Sequence, residues 1–246
     1  MSSRNTAYVF EPGAHTRLPV SQDEADGKEL LFPVNNIYCV GQNYAAHARE
    51  IGTDPKRATP VFFRKPSDSL LPACDAHGAS CQVDLAYPPQ TTELHHEVEL
   101  VVALKDGGHN IPRAHAVSCI FGYGVGLDMT RRDLQTAARK AGMPWDMAKG
   151  FDNAAPCSAL APVSHCGHPE RGVIELTVNS EPRQKADLSD LIWSVPEIIT
   201  FLSRFATLRP GDLIFTGTPE GVSPVYRGDR LEGRINGVGE IAVVIV

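Results

Sequence analysis

Several things are missing from this sequence. No apolar run approaches the ~18 residues that a membrane-spanning helix needs. The first residues, Met1 to Thr6, lead into Tyr8-Val9-Phe10 and a Pro/Gly turn, without the apolar core of a secretory signal. A cytoplasmic address and no membrane partner are the expectation. No Lys/Arg-rich run occurs, and 29 acidic against 23 basic residues give a net charge of −6. Binding to nucleic acid through its phosphates is therefore not expected, and partners are sought among small molecules. There is no internal repeat and no low-complexity tract, which sets aside solenoids and disordered chains. Cys39, Cys74, Cys81, Cys119, Cys157 and Cys166 include no Cys-x-x-Cys pair, so a structural zinc site has no support. His165-Cys166-Gly167-His168 sits among Gly and Pro without a second group of ligands, and reads as a turn before a metal cluster.

What remains is a chain of 246 residues, 42% hydrophobic and 21% charged, long enough for a substantial core. Its 21 glycines and 19 prolines are spread along the whole length, which predicts many short elements and excludes a helical bundle. Residues 1–35 read as a short N-terminal segment and 36–246 as the main domain. Strands are expected at 37–40, 61–63, 97–104 and 123–127. A hairpin is expected over 173–178 and 182–187. Strands at 212–216, 230–235 and 240–246 complete the chain. Helices are expected over 44–51, capped by Asn43, over 113–119, from a Thr130-to-Asp133 capping box to Ala141, and from Ser194 to about Phe205. The class is α+β and β-rich.

Chemistry concentrates in a few acidic positions. Residues i and i+2 of a strand share a face, so Glu97 and Glu99 point the same way, about 6.5–7 Å apart along the strand. Val98, Leu100 and Val102 take the other face. Val101 and Ala103 continue the glutamate face as apolar positions, which puts the two carboxylates at the edge of an interior. A solvated strand edge is the bland alternative. Asp128, at the end of the Gly-rich strand, adds a third carboxylate. Three carboxylates without matching Cys or His suit a hard cation, Mg²⁺ or Mn²⁺. Gly122-x-Gly124-x-Gly126 lacks the spacing of a dinucleotide loop. His47 and Glu50, three apart on the predicted helix, are either a surface pair or a base whose imidazole is oriented by a carboxylate.

Five segments then stand in a recognisable order. They are Cys39-Val40-Gly41-Gln42-Asn43-Tyr44-Ala45-Ala46-His47, His96-Glu97-Val98-Glu99-Leu100, Gly126-Leu127-Asp128-Met129-Thr130-Arg131-Arg132-Asp133-Leu134-Gln135, Lys149-Gly150-Phe151-Asp152 and Thr216-Gly217-Thr218-Pro219-Glu220-Gly221-Val222. From about residue 35 onward the sequence resembles the fumarylacetoacetate hydrolase family. Within it, Thr92-Glu93-Leu94-His95-His96-Glu97 and the Thr130-to-Gln135 run are most similar to fumarylpyruvate hydrolases of the gentisate pathway.

The resemblance implies a mixed β-sandwich roll, usually a homodimer. It implies that Glu97, Glu99 and Asp128 ligate one divalent cation, Mg²⁺ or Mn²⁺, and that His47 and Glu50 activate water. Lys149 would be the active-site lysine, and Gln135 and Thr218 would line the substrate site. Arg131 and Arg132 become candidates for holding substrate carboxylates. Without the resemblance, Lys149 reads as a loop lysine, Thr216-Gly217-Thr218-Pro219 as a turn and the arginines as helix-surface charges. The implied reaction is hydrolysis of a carbon–carbon bond in a 2,4-dioxo acid, such as 3-fumarylpyruvate to fumarate and pyruvate. Alternatives are an acylpyruvate hydrolase, an oxaloacetate-type decarboxylase or isomerase, and, more remotely, a non-catalytic binding protein.

Overall fold

The computed structural model describes residues 9–10, 13, 16–21, 30–50, 59–74 and 81–246. Among these, the strands form four sheets. The largest has the order β4 (Val61–Lys65), β3 (Ile37–Gly41), β15 (Leu213–Phe215), β8 (Val98–Leu104), β9 (Ile120–Leu127), β11 (Ala155–Cys157) and β5 (Leu70–Pro72), with β12 (Ala161–Pro162) also paired to β9. A second runs β14 (Glu181–Asp187), β13 (Val173–Val178), β17 (Arg230–Ile235), β18 (Gly239–Ile245) and β6 (Gln82–Leu85). A small sheet joins β10 (Thr130–Arg131), β7 (Leu94–His95) and β16 (Pro224–Val225), and a hairpin joins β1 (Arg17–Pro19) to β2 (Leu31–Pro33). This is the strand-rich architecture, with few and short helices, that the Gly and Pro content predicts.

The alternation read along residues 98–104 explains the layering. Val98, Leu100, Val102 and Leu104 enter one core, shared with Leu176, Leu231, Ile241 and Val243 of the second sheet. Val101 and Ala103 enter another, shared with Leu213 and Phe215 and with Leu18, Val20, Phe32 and Val34 near the β1–β2 hairpin. β8 is therefore buried on both faces, and every one of its residues is buried. Gly126 on β9 lies against this second core. A Cβ there would come within 2.5 Å of the Phe215 ring and 2.6 Å of Val101, so the close strand packing requires glycine.

The helices are α1 (Ala45–Glu50), α2 (Arg113–Ala116), α3 (Arg132–Ala141), α4 (Asp146–Lys149), α5 (Val163–Cys166) and α6 (Val195–Leu202). None is long and apolar enough to cross a membrane. α6 opens on a capping box, with Glu197 accepting from both the Ser194 amide and hydroxyl.

Three local expectations are corrected. Thr130 does not cap α3. It pairs with His95 in the small sheet, its hydroxyl donates to the Asp128 carbonyl, and the helix begins two residues later with no side-chain cap. Asp133 instead accepts from Thr91, Thr92 and its neighbour Leu134. Asn43 does not cap α1: its amide donates to the Trp193 and Thr216 carbonyls, and its oxygen accepts from the Trp193 amide. It staples the strand-to-helix turn to the loops after β14 and β15. Finally, the helix expected over 113–119 is one α-turn followed by a 3₁₀ turn at Val117–Cys119, and α6 stops at Leu202.

Candidate active site

The ends of β8 and β9 bring three carboxylates together. Glu97 immediately precedes β8, Glu99 is its second residue, and Asp128 directly follows β9. One oxygen from each lies within 4.8 Å of the others, and all three residues are buried. Antiparallel pairing of Glu99 with Gly126 and the amide bond from Asp128 to the Glu97 carbonyl hold the two strand ends in register.

Each carboxylate has a different set of neighbours. Lys149, from α4, donates to Glu97 Oε2 at 2.9 Å and to Asp128 Oδ2 at 2.8 Å. Lys65, the last residue of β4, reaches Asp128 Oδ1 at 2.8 Å and also donates to the Met129 and Lys149 carbonyls. Arg132 pairs with Glu97 Oε1 and donates to Gln135 Oε1. Burial alone would raise the Glu97 pKa, but Lys149 and then Arg132 more than offset it and hold the carboxyl well below its usual range. Burial lowers and the adjacent carboxylates raise the Lys149 pKa; the carboxylates prevail.

Glu99 differs. It accepts one backbone bond, from Gly217 at 2.7 Å, and among the described residues no Lys or Arg pairs with it. Burial, then Asp128 and Glu97, push its pKa well above the ordinary carboxylate range. A buried carboxylate short of positive charge, with two more beside it, is the donor set of a hard divalent cation. The residues present fit such an ion. His168 of the alternative His/Cys segment instead shares a hydrogen bond with the Tyr123 hydroxyl at 2.8 Å, and no metal cluster other than the carboxylate triad stands among the described residues.

His47 and Glu50 lie on α1, with Glu50 Oε2 3.1 Å from His47 Nδ1. His47 is buried, lines the same cavity as the triad, and is near enough to act on the Glu97 charge. Glu50 is anchored by the Gly221 amide, with both oxygens at 3.3 Å. Gln135 and Thr218 also line the cavity. Thr218 donates to the Val98 carbonyl and accepts from Gln184. Of the two arginine candidates only Arg132 reaches the cavity. Arg131 stacks on Phe151 at 4.6 Å and donates to the Met147 carbonyl.

Two contributors lie outside the predicted set. Lys65 gave little signal, since a lysine ending a strand before Pro66 reads as exposed. Its place on the same strand face as Phe63, which also lines the cavity, was the available clue. Gln184, on the edge strand β14, is the other. Its amide nitrogen donates to Thr218 and to the Pro219 carbonyl, so its oxygen faces His96 Nδ1 and the Val98 amide. That fixes His96 as the Nδ1–H tautomer, with Nε2 accepting from Ser223.

A family model described as "Fumarylacetoacetate (FAA) hydrolase C-terminal" matches residues 36–246. The crystal structure of fumarylpyruvate hydrolase from Pseudomonas aeruginosa, in complex with Mn²⁺ and pyruvate, superposes with a TM-score of 0.91 at 49% identity, covering 98% of this chain and 99% of that one. Fumarylpyruvate hydrolase of a Ralstonia species is 45% identical over 161 residues, 65% of this chain and 83% of its own length. The mitochondrial oxaloacetate tautomerase FAHD2 of Oryza sativa subsp. japonica is 41% identical over 217 residues, 88% of this chain and 93% of its own. Motif order, fold and match together make this chain a member of the fumarylacetoacetate hydrolase family.

Proposed function

We propose that the chain hydrolyses the carbon–carbon bond of a 2,4-dioxo acid, with 3-fumarylpyruvate as substrate and fumarate and pyruvate as products. The single observation that carries this reading is the placement of the His47–Glu50 pair on the cavity that also holds Glu97, Glu99 and Asp128. A tautomerase needs no attacking water, whereas a hydrolase needs a base for one.

A divalent cation held by Glu97, Glu99 and Asp128 would supply Lewis acidity where negative charge develops on the oxo acid. The chain's own groups do the rest. Glu50 accepts the Nδ1 proton of His47, which leaves Nε2 as the base that takes a proton from water. The resulting hydroxide adds to the C4 carbonyl. The C3–C4 bond then breaks, its electron pair passing to the pyruvate fragment as an enolate, which is protonated at C3. Lys149 has three N–H donors and uses two on Glu97 and Asp128. The third is available to the oxyanion that forms at C4. Gln135 and Thr218 present polar groups to the substrate, and Phe63 and Trp145, edge to face at 5.8 Å, wall off water.

The reading extends to a place in aromatic (gentisate or salicylate) catabolism, to a homodimer and to 36–246 as the catalytic domain. A second reading, oxaloacetate tautomerisation, is favoured by relatives such as the rice protein. Incubation of the Mn²⁺-loaded protein with fumarylpyruvate, acetylpyruvate and oxaloacetate, followed by NMR, separates the two. Fumarate and pyruvate should appear with the highest kcat/KM. Rapid enol–keto exchange of oxaloacetate with no cleavage of either acylpyruvate would establish the second reading instead.

A further inference from the structure

The cations around the site divide sharply. Lys149 is held by Glu97 and Asp128, Lys65 by Asp128 and two carbonyls, and Arg132 by Glu97, Gln135 and the His95 ring. Arg131 is spent on Phe151 and the Met147 carbonyl. Arg139 lines the cavity and, among the described residues, its side chain makes no hydrogen bond, ion pair or ring contact.

Helix geometry puts this free guanidinium in line with the others. Positions 132, 135 and 139 are i, i+3 and i+7, so they share one face of α3. About 10 Å of helix separates Arg132, at the carboxylate triad, from Arg139 nearer the mouth. A diacid with one end at the triad can then present its other carboxylate to Arg139. Gln42 lines the same cavity, and its side chain is also unpaired among the described residues. Its backbone is left-handed at φ 61°, a conformation a glutamine seldom adopts and one that concentrates at functional sites. Trp145 lies beside it, with its ring 3.8 Å from where a Gly41 Cβ would be. Beside the triad the cavity thus offers a planar two-pronged cation, a neutral amide and an aromatic ring.

We propose that Arg139, assisted by the Gln42 amide, receives the second carboxylate of the substrate, so that the site selects dianionic dioxo acids over their monoanionic acyl analogues. This deepens the hydrolase reading and rests on it for the reaction, though not for the binding. A guanidinium matches a carboxylate with two parallel N–H bonds, and a methyl group in that place would leave the arginine unsatisfied. The partners of Arg132 are supplied by the protein; Arg139 has none until a ligand brings one.

The test compares wild type, Arg139→Gln and Arg139→Lys in two assays. In the first, kcat/KM is measured for fumarylpyruvate and for acetylpyruvate. The ratio of the two should fall by about ten- to a hundred-fold in Arg139→Gln, through KM, with partial recovery in Arg139→Lys. An unchanged ratio would overturn the proposal. In the second, calorimetry on the Mn²⁺-loaded protein compares fumarate with crotonate, in which a methyl group replaces one carboxylate. Wild type should prefer fumarate and Arg139→Gln should lose that preference. An equal preference in both proteins counts against Arg139. If wild type cleaves neither acylpyruvate, the hydrolase reading fails, and the fumarate–crotonate comparison still decides what Arg139 binds.

Discussion

Glu97 and Glu99 stand two residues apart, open onto one cavity, and are driven in opposite directions by their surroundings. Lys149 and Arg132 hold the Glu97 carboxyl low. Burial, with Asp128 and Glu97 close by and only the Gly217 amide in compensation, holds Glu99 high. Two chemically identical groups in one pocket thus sit in opposite electrostatic surroundings.

Because burial and the neighbouring carboxylates raise the Glu99 pKa, a cation competes with a proton for this carboxylate. Affinity for Mn²⁺ should therefore rise with pH, and calorimetry in buffers of different ionisation enthalpy should record proton release. Glu99→Gln should abolish the release and weaken Mn²⁺ binding by more than the about 10–100-fold lost with an outer-shell partner. Chelator-treated protein should lose turnover and regain it on adding Mn²⁺.

His47→Ala should lower kcat for fumarylpyruvate cleavage by about 10²–10⁴-fold while leaving Mn²⁺ affinity unchanged. Steady-state kinetics alongside metal titration reads both. Undiminished turnover would remove His47 from the role of base.

Lys65→Met should be costly to the fold. Lys65 is buried, and its loss strips the ion-pair partner from Asp128 Oδ1 and a donor from the Met129 and Lys149 carbonyls. Breaking a buried pair from one side costs about 3–5 kcal/mol, measurable by urea unfolding. A loss below about 1 kcal/mol would show that Asp128 is satisfied without it.

Acid should destabilise the protein through His96. Burial lowers its pKa to about 4, despite the Gln184 hydrogen bond. In an unfolded chain it takes up a proton near about 6.5. Between these values the unfolded state binds more protons, so stability is full above about 6.5 and declines as pH falls towards 4, by up to about 3 kcal/mol. Urea titrations at several pH values should show the decline. His96→Asn, whose amide nitrogen stands near the Nδ1 position, should flatten it.

Much of the site was legible because strand alternation is strict. Glu97, Glu99 and the flanking Val101 and Ala103 could be assigned to one face from spacing alone, and the two cores on either side of β8 follow from the same rule. Helix phase was less legible. A start at Arg132, two residues after Thr130, turns Arg131 onto Phe151 and Arg132 onto the cavity. Propensity does not fix a boundary that closely when a short strand pairing competes for Thr130. Lys65, Asn43 and Gln184 were illegible for another reason. Their partners lie 34 to 173 residues away, and only the assembled sheets bring those partners close. Nor could spacing reveal that β15 inserts between β3 and β8.

The burial of β8 on both faces also sets a timescale. A strand packed between two cores cannot open alone, so its amides should exchange with solvent only through global unfolding. The positions that would hold a cation are tied to that slow unit. His47 and Glu50 stand instead on α1, outside the sheets, where Glu50 is exposed. An ion seated between Glu97, Glu99 and Asp128 would then rest on the part of the fold slowest to open, with its base carried by a separate element.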